Sequence, residues 1–358
     1  MYLSPKKSFL TLLTATAFLT GCQGSNSQTT DSTIAKGVVR DSASGLGIAN
    51  VQVSVDGSTT TTDDQGFYTL ENVPADNKAV VTFDSEGYYR NSAVIQIDKY
   101  LEGTTTLSPN YLEFSLGKYT DTNTGDSQNE MAFSVQDGFG LYIPGGIYTD
   151  AAGNAYSGKV TANGTYRKQT QSSQDVEFPG DYSGKSSNGI IVPFVSYGFV
   201  VIDLTDANGT ALGISDNITL TFPATGATDS LIPLWYYDYD QGLWLEEGYA
   251  EVQADGTYMG AISHTGTWSL SKPVENAIGI YRGRIIHENG TPASDVRVNA
   301  VGENWTATDL STDADGNFEI EVIPGSDFQL TAYNYKDEYK AVYNVIIQAI
   351  ASGDLVEE

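Results

Sequence analysis

The sequence is poor in the side chains that most often carry chemistry. Cys22 is the only cysteine in 358 residues, and His264 and His287 are the only histidines. One thiol cannot make an intrachain disulfide, so the fold must stand on its core alone. Two histidines and no cysteine pair leave too few ligands for a zinc site, and neither His-x-x-x-His nor His-Glu-x-x-His occurs. Basic residues are also scarce. Eighteen Lys and Arg face 45 Asp and Glu, and the net charge of −27 repels nucleic-acid phosphates and anionic lipid headgroups alike. Nucleic acid is thereby a poor partner. No apolar run approaches 18 residues, so no segment reads as a spanning helix. Helix signals are nearly absent, and the strongest stretch is Tyr343 to Leu355.

What is abundant points to β-structure. Thr, Val, Ile and 23 Tyr suit pleated surfaces, and 37 Gly serve turns. In residues 34–98, Val51, Val53 and Val55 alternate with polar residues. Thr62-Asp63-Asp64-Gln65-Gly66 reads as a turn, Phe67 to Leu70 as the next strand, and Val73-Pro74 as its end. The pattern returns at residues 277–358. Val296, Val298 and Ala300 alternate, Thr312-Asp313-Ala314-Asp315-Gly316 is the turn, Asn317 to Ile320 the strand, and Ile323-Pro324 the end. Gly66 to Pro74 and Gly316 to Pro324 have the same spacing, so two copies of one domain flank the middle of the chain. The first copy's later segment, Thr104 to Phe114, has no clear counterpart after Leu355. The middle region, 99–273, alternates at Ile218, Leu220 and Phe222. It contains a hairpin over Leu231 to Ala250 that turns at Asp240-Gln241-Gly242.

The N-terminus reads as a processing signal. Lys6 and Lys7 precede an apolar stretch from Phe9 to Leu19, which ends in Leu19-Thr20-Gly21-Cys22. This resembles the lipobox of bacterial lipoproteins. The resemblance implies a signal peptide at 1–21, a diacylglycerol on the Cys22 thiol and a mature chain of 337 residues with charge −29. Residues 22–33 are polar and read as a flexible tether. Residue 23 is Gln rather than Asp, and in a Gram-negative host the sorting logic of lipoproteins would then favour the outer membrane.

Both flanking copies resemble the carboxypeptidase regulatory-like domain, a transthyretin-like sandwich of about seven strands. The motifs are Gly37-Val38-Val39-Arg40 and Gly283-Arg284-Ile285-Ile286, the T-D-x-x-G-x-[FY] turns, and the following Val73-Pro74 and Ile323-Pro324. The family implies an accessory module without peptidase activity. The middle region is similar to a domain of cartilage intermediate layer protein. The motifs are Leu141 to Pro144 with Gly158, Phe178-Pro179-Gly180-Asp181, Ile232 to Asp238, Gly242 to Gly248, and Ser263-His264 with Trp268 and Lys272-Pro273. Thr265-Gly266 departs from the pattern, which has a bulkier aromatic position there. The expected fold is therefore all-β: two seven-stranded β-sandwich domains, 34–98 and 277–358, flank a larger β-rich middle domain.

Catalytic patterns are weak. Ser263 and His264 are adjacent, and neighbours on a strand face opposite ways, so they do not make a triad. Asp238 with Asp240, or Glu246 with Glu247, would be a carboxylate pair for glycoside hydrolysis, yet acids are common around wet turns. His264 is expected to bond backbone or rest on Trp268, and His287 to be exposed. Asp313 and Asp315 alternate as calcium ligands do, but position six of an EF-hand loop would be Phe318 rather than Gly, so a capped turn reads better. Asn208-Gly209-Thr210 and Asn289-Gly290-Thr291 likewise read as turns. No cofactor beyond the lipid on Cys22 is implied. The recognition candidate is aromatic: Trp235, Tyr237 and Tyr239 alternate on one face, with Trp244 across the turn. Such rings either fill a core or stack on sugars. The reading is a non-catalytic, membrane-anchored lipoprotein of the cell envelope that binds or scaffolds. Its alternatives are a glycan-binding accessory protein and an envelope hydrolase.

Overall fold

A computed structural model describes residues 33–357 except 75, 98–109, 169–176, 225–226, 275–278, 288, 295, 303–304, 325–326, 335–339 and 348–354. The signal segment, Cys22 and the tether as far as residue 32 lie outside the described residues. Residues 31–358 form one compact unit. No α-helix occurs among the described residues, and the chain is built from strands joined by tight turns.

Seven of those turns share one construction. In the turn from Asp63 to Phe67, Gly66 N–H donates to Asp63 O and Asp63 N–H donates to Phe67 O. The same pair of bonds closes the turns beginning at Asp150, Ser186, Asp206, Gln253, His287 and Asp313. The fourth residue is Gly every time, with φ between +81 and +86°. This is a type I turn finished by a left-handed residue, which glycine adopts without strain. Where Asp comes first it also caps the turn: Asp313 Oδ1 accepts from Asp315 N at 2.9 Å and Asn317 N at 2.8 Å. Asp63 does the same for Gln65 N and Phe67 N.

The first sandwich has a three-stranded sheet, Phe67–Val73 beside Thr33–Asp41 beside Asn110–Leu116, facing a four-stranded sheet. The second sheet runs Ser58–Thr61, Gln52–Val55, Asp76–Asp84 and Asn91–Ile97. Val39, Val51, Val53, Leu70, Val81, Phe83 and Leu116 fill the space between. The last sandwich repeats this. Asn317–Val322, Gly279–Arg284 and Leu355–Glu357 form its three-stranded sheet, and Thr306–Ser311, Arg297–Gly302, Phe328–Asn334 and Lys340–Ile347 the four-stranded one. Each copy therefore has the seven strands expected.

Two sequence expectations change here. Thr33–Asp41 pairs in parallel with Asn110–Leu116, which carries the first sandwich past residue 98, and Gly279–Arg284 pairs in parallel with Leu355–Glu357. The last strand of the first copy thus has its counterpart in the final residues of the chain, although their sequences differ. An edge strand needs its backbone for pairing and few particular side chains. The described residues of the Tyr343 to Leu355 stretch are strand and not helix. Residues 340–347 lie in a strand at the edge of the sheet, paired on one side with Phe328–Asn334.

The middle domain is built on one curled sheet of eleven strands, with a separate two-stranded pair of Tyr148–Thr149 and Gly213–Ile214. Its order is Asp121–Asp126, Lys159–Arg167, Ile191–Asp206, Gly266–Pro273, Leu231–Asp238, Leu243–Val252, Tyr258–Ile262, Ile218–Phe222, Phe139–Ile143 and Met131–Val135, with Ser183–Lys185 paired to the side. The first and last strands of this order are consecutive in the chain. A Cβ on Gly164 would lie 3.3 Å from Val135, and one on Gly125 would lie 3.3 Å from Met131, so the two ends of the sheet meet. Leu141, Val160, Ile202, Leu220, Leu234, Tyr258 and Leu270 form the enclosed core. Inward-facing residues alternate with a second set on the outer face, and that outer set builds the site described below.

One buried threonine stitches each sandwich. Thr62 Oγ1 donates to Ile48 O at 2.6 Å and accepts from Val51 N at 2.9 Å. Thr312 Oγ1 does the same for Ala293 O and Val296 N, at 2.6 and 3.0 Å. Thr62→Val keeps the shape but leaves a buried N–H and C=O without partners. It is expected to lower stability by about 1–3 kcal/mol in urea unfolding, and Thr62→Ser by much less.

Candidate functional site

Strand alternation divides the rings of the hairpin. Leu234 and Tyr236 join the enclosed core, and Trp235 and Tyr237 take the outer face with Trp244. Outer does not mean exposed. Trp235, Tyr237 and Trp244 all have 0 % of their surface accessible. The segment from Glu177 to Lys185 lies across them. The Phe178 ring sits 5.0 Å from Trp244 and stacks on Tyr182 at 4.1 Å, and Phe194 sits 5.1 Å from Trp235. Both indole N–H groups are satisfied: Trp244 Nε1 donates to Pro179 O, and Trp235 Nε1 to Ser271 O, each at 2.9 Å. Glycine is required where the covering chain touches the rings. A Cβ on Gly184 would lie 2.6 Å from the Trp235 ring, and one on Gly180, at φ +62°, would lie 2.6 Å from the Tyr237 hydroxyl.

The first sandwich closes the remaining side. Tyr237 Oη and Ser92 Oγ are 2.7 Å apart and fully buried, and Gly180 N donates to Ser92 O at 3.2 Å. Tyr239 Oη donates to Arg90 O at 2.7 Å, with the Arg90 guanidinium 5.0 Å from the Tyr239 ring centre. Tyr89 Oη donates to Glu177 Oε2 at 3.0 Å, Asn91 Nδ2 donates to Glu177 O at 2.6 Å, and Arg167 Nε donates to the same Oε2 at 2.6 Å. At the tip of the hairpin a Cβ on Gly242 would lie 2.5 Å from Val80 and 2.9 Å from Val94. Burial holds the Tyr89, Tyr237 and Tyr239 hydroxyls well above the usual phenol range, so all three stay protonated and able to donate. The site is a joint between two domains. Its aromatic cluster continues through Tyr281, Val298, Trp305 and Phe328 of the last sandwich.

Of the two readings of Trp235, Tyr237, Tyr239 and Trp244, a ligand-binding platform or the filling of a core, the burial of the rings supports the second. Stacking on a sugar needs an open ring face, and three of these rings have none, while Tyr239 has Arg90 on its face and Tyr237 at its edge, 4.9 Å away. Sequence reasoning missed the partners in the joint: Tyr89 to Ser92, Arg167 and Glu177. Phe178-Pro179-Gly180-Asp181 was the one signal, a motif with two conformationally special residues and no strand pattern of its own.

The other candidates resolve into local structure. His264 Nδ1 lies 3.1 Å from Thr265 O and Nε2 2.9 Å from Glu247 Oε2, which leaves neither nitrogen for Ser263. The His264 ring also rests 4.9 Å from Trp268, as expected, and 4.3 Å from Tyr236. At Gly266, φ is +128° and a Cβ would lie 2.9 Å from the Tyr236 ring, so the position favours glycine. Asp238 accepts from Asp240 N and Gln241 N at 2.9 and 3.1 Å, so it caps the hairpin turn. Glu246 accepts from Ser187 N at 2.9 Å and Tyr249 Oη at 2.6 Å. Asp313 caps its turn, Asn289 Oδ1 accepts from Thr291 N at 3.0 Å, and His287 is exposed. Among the described residues no group of three or more His, Cys, Asp or Glu is placed to hold a metal ion.

If the joint holds the domains together, Ser92 and Tyr237 are energetically coupled. Tyr237→Phe and Ser92→Ala are each expected to cost about 1 kcal/mol in chemical denaturation, and the double variant much less than their sum. Strict additivity would show that the hydroxyls do not share a bond in solution.

Comparison with known proteins adds a family for part of the chain. A search of curated proteins finds no match. Among solved structures, the chain is similar to BcpA, the major pilin subunit of Bacillus cereus, at 10 % identity over 91 % of this chain and 98 % of that one, with a TM-score of 0.19. It is also similar to the Bacillus anthracis TIE protein, at 11 % identity over 91 % of this chain and 49 % of that one, with a TM-score of 0.20. A streptococcal ancillary pilin gives 8 % identity, 91 % and 98 % coverage, and a TM-score of 0.19. At such scores these likenesses carry no argument about fold or function. Residues 35–108 match the model of the carboxypeptidase regulatory-like domain, the family whose motifs the first sandwich carries.

Proposed function

We propose that this chain is a lipid-anchored, non-catalytic module of the cell envelope that acts as a braced spacer and scaffold. In this reading Cys22 carries the lipid, residues 22–33 form the tether, and the three β-domains stand off the membrane as one body. Two acyl chains or more hold a protein firmly where one would not, at roughly 0.8 kcal/mol per buried CH₂. The charge of −27 gives no attraction to anionic headgroups, so the anchor must do the attaching. Outer-membrane sorting through Gln23 belongs to the same proposal, as does the kinship of residues 99–273 with the domain of cartilage intermediate layer protein.

The observation that carries the scaffold half is the use made of the aromatic hairpin. Its rings are spent on joining domains, with Ser92 and Tyr237 at 2.7 Å across the joint, rather than on an open ligand surface. Tandem domains whose contact is small and polar move freely, and a large apolar contact removes that freedom. The family match over residues 35–108 supports an accessory rather than a catalytic role. Envelope glycan or protein partners would then bind elsewhere on the body.

The anchor is tested by membrane fractionation of wild type beside Cys22→Ser, with the intact mass of the mature N-terminus. Wild type is expected in the membrane fraction, beginning at Cys22 and carrying the added mass of lipid. The variant is expected to be released or left unprocessed. Soluble protein with one and the same cleaved N-terminus in both would remove the anchor from the proposal.

A further inference from the structure

The joint covers only part of the outer face of the middle sheet. Along Leu231–Asp238 and Leu243–Val252 the covered rings of Trp235, Tyr237 and Trp244 give way to Leu231 and Tyr249, which are 55 and 52 % exposed. The uncovered part continues onto Tyr258–Ile262, Ile218–Phe222 and Phe139–Ile143, and the registers set its outward side chains in two adjacent rows. In the first row, the pairing of Ala250 with Gly260 places Tyr249 beside Ala261, Ala261 pairs with Thr219, and Thr219 pairs with Tyr142. In the second, Leu231 pairs with Glu251, Glu251 with Met259, and Met259 with Thr221. Paired positions share a face. Two exposed tyrosines thus end a row with only Ala261 and Thr219 between them, three strand spacings or about 14 Å apart. A carboxylate holds each hydroxyl: Tyr142 Oη donates to Glu130 Oε2 at 2.9 Å, and Tyr249 Oη to Glu246 Oε1 at 2.6 Å. Among the described residues no other ring and no cation lies against either tyrosine, whereas Arg90 covers Tyr239. The Thr219 and Thr221 hydroxyls and the Glu251 carboxylate have no side-chain or backbone partner among the described residues.

We propose that this uncovered face binds a neutral polysaccharide laid across the strands, with sugar rings on Tyr142 and Tyr249 and sugar hydroxyls on Thr219, Thr221 and Glu251. An open tyrosine ring fixed at its hydroxyl takes the apolar C–H face of a pyranose. A carboxylate accepts strongly from a sugar hydroxyl, and a threonine hydroxyl can give or take. The small side chains between the rings leave a low floor that an extended chain of sugars can cross. Charge narrows the partner. The charged side chains in these rows or bonded to their rings, Glu130, Glu246 and Glu251, are all acidic, so they repel phosphate, sulfate and uronate groups. A second copy would set −27 against −27. A basic protein would need several unengaged acids, and Glu251 is the one that no tyrosine holds. The inference deepens the scaffold reading, in which partners bind away from the joint. No membrane enters its test, so its failure is distinct from failure of the anchor.

The experiment is affinity electrophoresis and calorimetric titration of the full chain against a soluble β-glucan, an α-glucan, a mannan and a xylan, with alginate as the anionic control. Wild type is expected to bind at least one neutral probe and not alginate. Tyr142→Ala and Tyr249→Ala are each expected to weaken that binding by about two- to tenfold, the range of one lost ring contact. Tyr142→Phe, which keeps the ring, is expected to weaken it much less. Ala261→Arg fills the floor from an exposed position and is expected to abolish binding. Binding to none of the neutral probes, equal binding to alginate, or binding that survives Ala261→Arg overturns the proposal. If the tyrosine variants fail to fold, Ala261→Arg decides alone. Concentration-dependent dimers in sedimentation that Ala261→Arg removes would give the face to a second copy and also overturn it.

Discussion

Burial of the outer face of the 231–250 hairpin is the constraint from which the rest of the architecture follows. A curled sheet fills its own interior and leaves its outer face to water. Here that face carries Trp235, Tyr237 and Trp244, and leaving three such rings exposed would forfeit several kcal/mol of apolar burial. The residues around 177–185 cover part of the face, with glycines at 180 and 184 where the rings allow no side chain. The first sandwich covers the remainder and must bring polar partners for the hydroxyls that become buried with the rings. Ser92 and Arg90 O are those partners.

The joint also restrains sequence well away from it. Gly242 has no room for a side chain against Val80 and Val94, and its φ of +61° favours glycine as well. Arg167 and Glu177 form an ion pair that would contribute little at an exposed surface. Here it also holds Tyr89, and Glu177 binds Asn91 through its backbone, so four groups from two domains depend on it. Polar groups of this kind add specificity: only one relative placement of the domains satisfies all of them.

Much of the local structure was legible in the sequence. The Asp-x-x-Gly turns announce themselves because the left-handed fourth position demands glycine and the first position rewards an acid that can cap the turn. Period-two alternation at Val51 to Val55 and Val296 to Ala300 marks a half-buried strand, and both lie in the sheets of the two sandwiches. The paired strand Leu355–Glu357 was not legible. Its place is fixed by backbone bonding to Gly279–Arg284, which leaves little trace in side-chain pattern. The candidate site was half legible. The rings and the hairpin could be named, and so could their alternation.

The sequence by itself determined the all-β class, the repeated sandwich, the hairpin and its turn, and the assignment of Leu234 and Trp235 to opposite faces. Those follow from near-neighbour geometry: dihedral preference, a two-residue period and fixed turn chemistry. Only the tertiary structure decided what the aromatic face is for. Tyr237 meets Ser92 across 145 residues of sequence. Alternation states that a ring leaves the enclosed core. It carries no information on whether water, a sugar or another domain meets the ring on the far side, because that depends on which distant surface matches it in shape and in hydrogen-bonding groups.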